Sequence, residues 1–116
     1  KYVYKGINFK SNWEVIYAKF LDSANISWEY ESMILDLGFC KYIPDFYLPK
    51  YKEIVEVKGY FDDKSINKIK AMKKVDFMFG IVDSEVINNI LNDKYNMKIF
   101  KRIGEKIWQG KVEIQI

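Results

Sequence analysis

The sequence predicts an α/β protein of the α+β type, with a central mixed β-sheet flanked by helices. Two observations carry this prediction. Residues 53–58 (EIVEVK) and 77–82 (FMFGIV) are β-branched or apolar runs of strand length. Segments with helical spacing precede, separate and follow them. At 116 residues, with 49% hydrophobic and 17% aromatic residues, the chain suits one domain, residues 1–116, with a core that needs no disulfide or metal staple.

The elements follow in order. Residues 2–9 (YVYKGINF) alternate loosely and read as a short strand or a hairpin around Gly6. Ser11-Asn12-Trp13-Glu14 has the form of a capping box. The helix after it places Trp13, Ile16, Tyr17, Phe20 and Leu21 on one face and ends near Asn25. Residues 26–31 (ISWEYE) read as a strand with Ile26, Trp28 and Tyr30 on one side, and 32–38 as a turn region ending at Gly38. Pro44 and Pro49 bracket a short strand at 45–48. Residues 53–58 are the clearest strand, closed by Gly59. Asp62 or Asp63 caps a helix running to about Val75, with Ile66, Ile69, Met72 and Val75 inward. The run 77–82 suits a buried strand, and 84–91 a short helix. Strands are expected near 97–103 and 106–115. The predicted order is β-α-β-β-β-α-β-α-β-β, a sheet with helices packed on it.

Two counts exclude much chemistry. The chain has no His, and Cys40 is its single Cys. Ser-His-Asp and Cys-His catalysis are excluded, as are the Cys/His zinc sites. One Cys forms no internal disulfide, which suggests a reducing compartment, and the expected location is cytoplasmic. Neither a leader nor a membrane span is expected. Any metal must be a hard ion on oxygen ligands. The net charge is +3, and the basic residues are nearly all Lys, with Arg102 the exception. Lysine meets phosphate as a point charge, so a nucleic-acid partner would be read by backbone and shape more than by base edges.

Four residues stand out: Glu14, Asp45, Glu56 and Lys58. Glu56 and Lys58 lie two apart on one strand and so share a face, while Val55 and Val57 take the other. A carboxylate and an ammonium projecting together from the most hydrophobic strand are costly unless paired or metal-bound. If 45–48 and 53–58 form a hairpin, Asp45 approaches them across about one strand spacing, ~4.8 Å. Two close carboxylates repel unless a divalent cation lies between them. The lysine could then orient a water or neutralise phosphoryl charge. Glu14, in the first helical turn, becomes a third acid if that helix packs across the sheet near the hairpin. The alternatives are structural. Glu14 is the N3 member of the capping box, Asp45 a turn residue after Pro44, and Glu56 with Lys58 an exposed ion pair. Glu29 and Glu31 read as the solvated face of their strand, with Glu31 bordering the site as the lesser reading.

The run Phe9-Lys10-Ser11-x-Trp13-Glu14, then Trp28-Glu29-Tyr30-Glu31, Tyr42-Ile43-Pro44-Asp45-Phe46-Tyr47-Leu48-Pro49 and Ile54-Val55-Glu56-Val57-Lys58-Gly59, resembles the PD-(D/E)XK nuclease superfamily. The resemblance spans roughly residues 6–75. It is strongest to the small phage and mobile-element endonucleases, including the phage endonuclease I type resolvases and transposon-end nuclease subunits. It implies a restriction-endonuclease-like core and hydrolysis of DNA phosphodiesters with Mg²⁺ or Mn²⁺. Asp45 and Glu56 would bind the metal, Glu14 would complete the site, and Lys58 would assist the attacking water. Lys10, Lys64 and Lys68 are assigned to nucleic-acid contact. Lys64 lies in the first turn after the E-x-K strand, on the same side as Lys68; snorkelling from a helix flank is the alternative. Structure-selective or weakly sequence-selective cutting of duplex or branched DNA is expected, with a homodimer to cut both strands. The alternatives are a non-catalytic nucleic-acid-binding domain, a subunit of a larger DNA-processing complex, and an interaction protein whose E-x-K is a surface pair.

Overall fold

The chain opens as a β-hairpin in which β1 (Tyr2–Tyr4) pairs antiparallel with β2 (Ile7–Phe9). The connecting residues Lys5 and Gly6 both have positive φ, 53° and 75°, the left-handed pair that a two-residue hairpin turn requires. This computed structural model describes residues 1–60, 62–72 and 77–92. Helix α1 (Asn12–Ser23) starts at the expected capping box: Ser11 accepts from the Glu14 amide, and Glu14 accepts from the Ser11 amide. Its end is a Schellman motif. Asn25 is left-handed, its amide reaches Asp22 O, and the Ile26 amide reaches Leu21 O. Ile26 and Leu21, the apolar pair that accompanies this motif, are both buried. Ser11→Ala is expected to lower stability by about 1 kcal/mol. A denaturation midpoint unchanged from wild type would contradict that.

Strand β3 (Glu29–Tyr30) is shorter than the expected 26–31. Its partner is the reason. Strand β6 (Phe46–Leu48) is confined between Pro44 and Pro49, and β3 pairs with only Phe46 and Tyr47. The segment expected to be a turn, 32–38, instead contains β4 (Leu35–Asp36), which pairs with β5 (Lys41–Tyr42). Its apolar residues Met33, Leu35 and Leu37 recur at every second position and pack on one buried cluster. Strand β7 (Glu53–Val57) follows a 3₁₀ turn at Pro49–Tyr51 and pairs antiparallel with β6, as expected. Helix α2 (Asp63–Met72) crosses over to β8 (Met78–Val82), which lies parallel to β7. Helix α3 (Ser84–Leu91) closes the described chain, capped by Asp83. Among the described residues the main sheet thus has four strands in the order β3-β6-β7-β8. The inward Ile66 of α2 is half-buried, and the side chains of Ile69, Met72 and Val75 lie outside the described set. The strands expected near 97–103 and 106–115 also lie outside the described residues.

The fold is α+β, and the sheet separates two apolar clusters. On one face, Tyr17, Ala18, Phe20 and Leu21 of α1 and Val86 and Ile87 of α3 pack on Phe46, Leu48, Val55 and Val82. On the other, Ile54, Phe79 and Ile81 meet Tyr42 and the β4–β5 hairpin. Alternation therefore assigns Glu56, two residues after Ile54, to the second face, opposite α1 and α3. Among the described residues no helix is long and apolar enough to cross a membrane.

Candidate active site

Three acids expected to act together arrive from three elements at one end of the sheet. The β6–β7 register pairs Phe46 with Val55, so the next residues outward, Asp45 and Glu56, stand opposite each other. They are locked reciprocally: the Asp45 amide donates to Glu56 Oε1 at 3.1 Å, and the Val57 amide donates to Asp45 Oδ2 at 2.9 Å. Asp45 is only 5% exposed. Burial first, and then the Asp45 carboxylate, push the Glu56 carboxyl up to about 7.

Glu14 is 2% exposed. Its Oε1 accepts from the amides of Lys10 and Ser11 and from the Tyr30 hydroxyl, at 2.9, 3.0 and 3.1 Å. Burial and then Asp45 raise its pKa, so Glu14 lies within electrostatic reach of the pair. What delivers it is the start of α1. The Trp13 ring lies against Gly59, where a Cβ would stand 3.1 Å from two ring carbons. This contact ties the first helical turn to the end of the E-x-K segment.

Lys58 lies just past β7, where its amide continues the parallel ladder to Val82 O. Its side chain is half-buried, and among the described residues its ammonium makes no ion pair. Lys64 is exposed on the first turn of α2. Lys68 is half-buried, its ammonium 5.5 Å from the centre of the Tyr42 ring. Lys10 is placed differently from a free phosphate contact. Its ammonium lies 3.0 Å from Asp45 Oδ1 and 3.1 Å from Glu31 Oε2. Glu31 thus borders the site, the lesser of its two expected readings.

Tyr30 and Tyr42 belong to the site and were not singled out in the sequence. Tyr30 orients Glu14. The Tyr42 hydroxyl is buried beside Glu56, and burial followed by that charge raises its pKa. The hydroxyl has no hydrogen-bond partner among the described residues.

The donor chemistry fits a hard cation. The ligands on offer are carboxylate oxygens, burial and then the Asp45 charge raise the pKa values of Glu14 and Glu56, and the Tyr42 hydroxyl has no hydrogen-bond partner among the described residues. The fit is to Asp45 and Glu56 as a pair, with Glu14 alongside. Among the described residues no three acidic, His or Cys side chains stand close enough to hold one ion together. Comparisons with family profiles, with curated proteins and with solved structures found no match.

Proposed function

We propose that the protein is a metal-dependent endonuclease of DNA, with a core of the restriction-endonuclease kind. The observation that supports this most is the reciprocal Asp45–Glu56 lock, which holds two carboxylates together where burial and then the Asp45 charge disfavour ionisation of Glu56. Such an arrangement is unfavourable unless a positive charge is brought to it. Mg²⁺ or Mn²⁺ held there would polarise a phosphodiester and lower the pKa of a bound water. Asp45 and Glu56 would bind it, and Glu14 would add negative charge from the flank. Lys58, just past the same strand and without an ion pair among the described residues, would position the attacking water and neutralise phosphoryl charge. Lys64 and Lys68 would hold neighbouring phosphates, Lys68 being drawn toward the site by its contact with Tyr42. Contacts of this kind favour structure-selective or weakly sequence-selective cutting, with a second copy cutting the other strand.

The test is cleavage of supercoiled plasmid in Mg²⁺, Mn²⁺, Ca²⁺ or EDTA. Cutting is expected with Mg²⁺ and Mn²⁺ alone. Lys58→Ala is expected to slow it by about 10²-fold or more. Cutting in EDTA, or full activity in Lys58→Ala, would remove this reading.

A non-catalytic nucleic-acid-binding domain is the second reading, and one observation favours it. The Lys10 ammonium already neutralises Asp45. Salt-dependent DNA binding with no cleavage in any metal is the result that would select it.

A further inference from the structure

Lys10 is a cation built into an acidic site, and its attachments are asymmetric. Its backbone is fixed. Phe9 before it is buried among Trp28, Tyr30 and Phe46, and its own amide is bound to Glu14 Oε1. Ser11 after it is the cap of α1. Its side chain is partly in solvent: it is 60% exposed, and its ammonium is shared between a buried carboxylate, Asp45, and a half-exposed one, Glu31. Asp45 Oδ2 is occupied by the Val57 amide, which leaves Oδ1, the oxygen that Lys10 holds, as the more available cation ligand. Glu31 is itself held in place. It has φ of 50°, the left-handed region that a non-glycine residue rarely adopts, and its amide donates to Asp45 O at 2.9 Å. The strained residue thus stations a carboxylate on the solvent side of Lys10.

We propose that Lys10 is a resident counter-ion that competes with a divalent cation for Asp45, and that Glu31 is the carboxylate that receives the ammonium when the metal binds. This rests on the reading of Asp45 and Glu56 as cation ligands. Lys10 offsets the charge of Asp45, but not that of Glu56, when no metal is present. The divalent ion displaces it by contacting Asp45 and Glu56 at once, whereas the ammonium reaches Asp45 alone of that pair. Asp45 cannot hold both cations through one oxygen, so the affinity for metal is set by the difference between them. Glu31 lowers the cost of displacement because Lys10 keeps a partner after it lets go. Glu31 is therefore a positioning residue, acting through Lys10.

Two variants are expected to shift metal affinity in opposite directions. Mn²⁺ binding to the whole protein, measured by calorimetry or by loss of the free-ion paramagnetic signal, should tighten roughly tenfold in Lys10→Met. In Glu31→Gln it should weaken by a smaller factor, because the ammonium then has Asp45 alone. In the double variant the Glu31 change should have no further effect, since it acts only through the ammonium. Plasmid cleavage should follow, with its half-maximal Mn²⁺ concentration moving down in Lys10→Met. Equal affinity in wild type and Lys10→Met would overturn the competition while leaving the Asp45–Glu56 site standing. Weakening by Glu31→Gln in the absence of Lys10 would overturn the receiving role. Absence of Mn²⁺ binding in wild type and Lys10→Met alike would overturn the proposal together with the reading beneath it.

Discussion

Asp45→Asn is expected to lower DNA cleavage by several kcal/mol of lost charge stabilisation, on the order of 10³-fold in rate, while duplex binding at low salt persists. Asparagine is the informative change because it separates charge from scaffold. Its side-chain oxygen can still accept from the Val57 amide, a contact 2.9 Å long in the wild type. Alanine would orphan that buried donor and cost about 1–3 kcal/mol of stability on its own account. Asparagine also removes the charge that helps raise Glu56, so the Glu56 pKa should fall from about 7 toward the ordinary carboxylate range. Three measurements then interlock: cleavage rate, DNA affinity and the Glu56 titration followed by NMR. Cleavage at the wild-type rate in Asp45→Asn would remove Asp45 from the chemistry. An unmoved Glu56 titration would show that burial alone raises it.

The parts of this site that local pattern encodes were legible in the sequence, and those made by long-range side-chain reach were not. Glu56 and Lys58 announce themselves because strand alternation is a two-residue rule and their neighbours Val55 and Val57 are apolar. Asp45 is readable because Pro44 and Pro49 confine the strand between them, and a hairpin to 53–58 then brings Asp45 opposite Glu56, as observed. The capping box marks Glu14 at a fixed spacing. Lys10 carries no such mark. Its partner Asp45 is 35 residues away, and one lysine among many shows no sign of where a flexible side chain will settle. Tyr30 and Tyr42 look like core aromatics, which they also are, since the phenol ring packs while the hydroxyl serves the site. The β4–β5 hairpin was hidden for a different reason. Its strands are two residues each, and Asp36 and Gly38 signal a turn more strongly than Leu35 and Tyr42 signal pairing.

Glu56→Gln should stabilise the protein at pH 8 and leave it nearly unchanged at pH 4. The folded chain raises the Glu56 carboxyl from 4.5 to about 7, so the folded state binds that proton more tightly than the unfolded one. The stability linked to Glu56 is therefore fully present below pH 4.5 and is lost as pH rises through about 7. The corresponding free energy is roughly 3 kcal/mol. Glu14, buried and raised in the same direction, adds to the slope. The wild type should accordingly unfold more readily in denaturant at pH 8 than at pH 5, and Glu56→Gln should flatten part of that difference. The glutamine carbonyl can still accept from the Asp45 amide, so the comparison isolates charge from hydrogen bonding. Mn²⁺ should raise the wild-type midpoint at pH 8, because a ligand that binds the folded state alone stabilises it by mass action. It should do so far less at pH 5, where the proton already occupies Glu56, and far less in Glu56→Gln at either pH. Equal midpoints for wild type and variant at pH 8 would mean that the pair is already compensated by the protein's own cations. The Asp45–Glu56 lock would then be structural, and the case for a metal there would lose its physical basis.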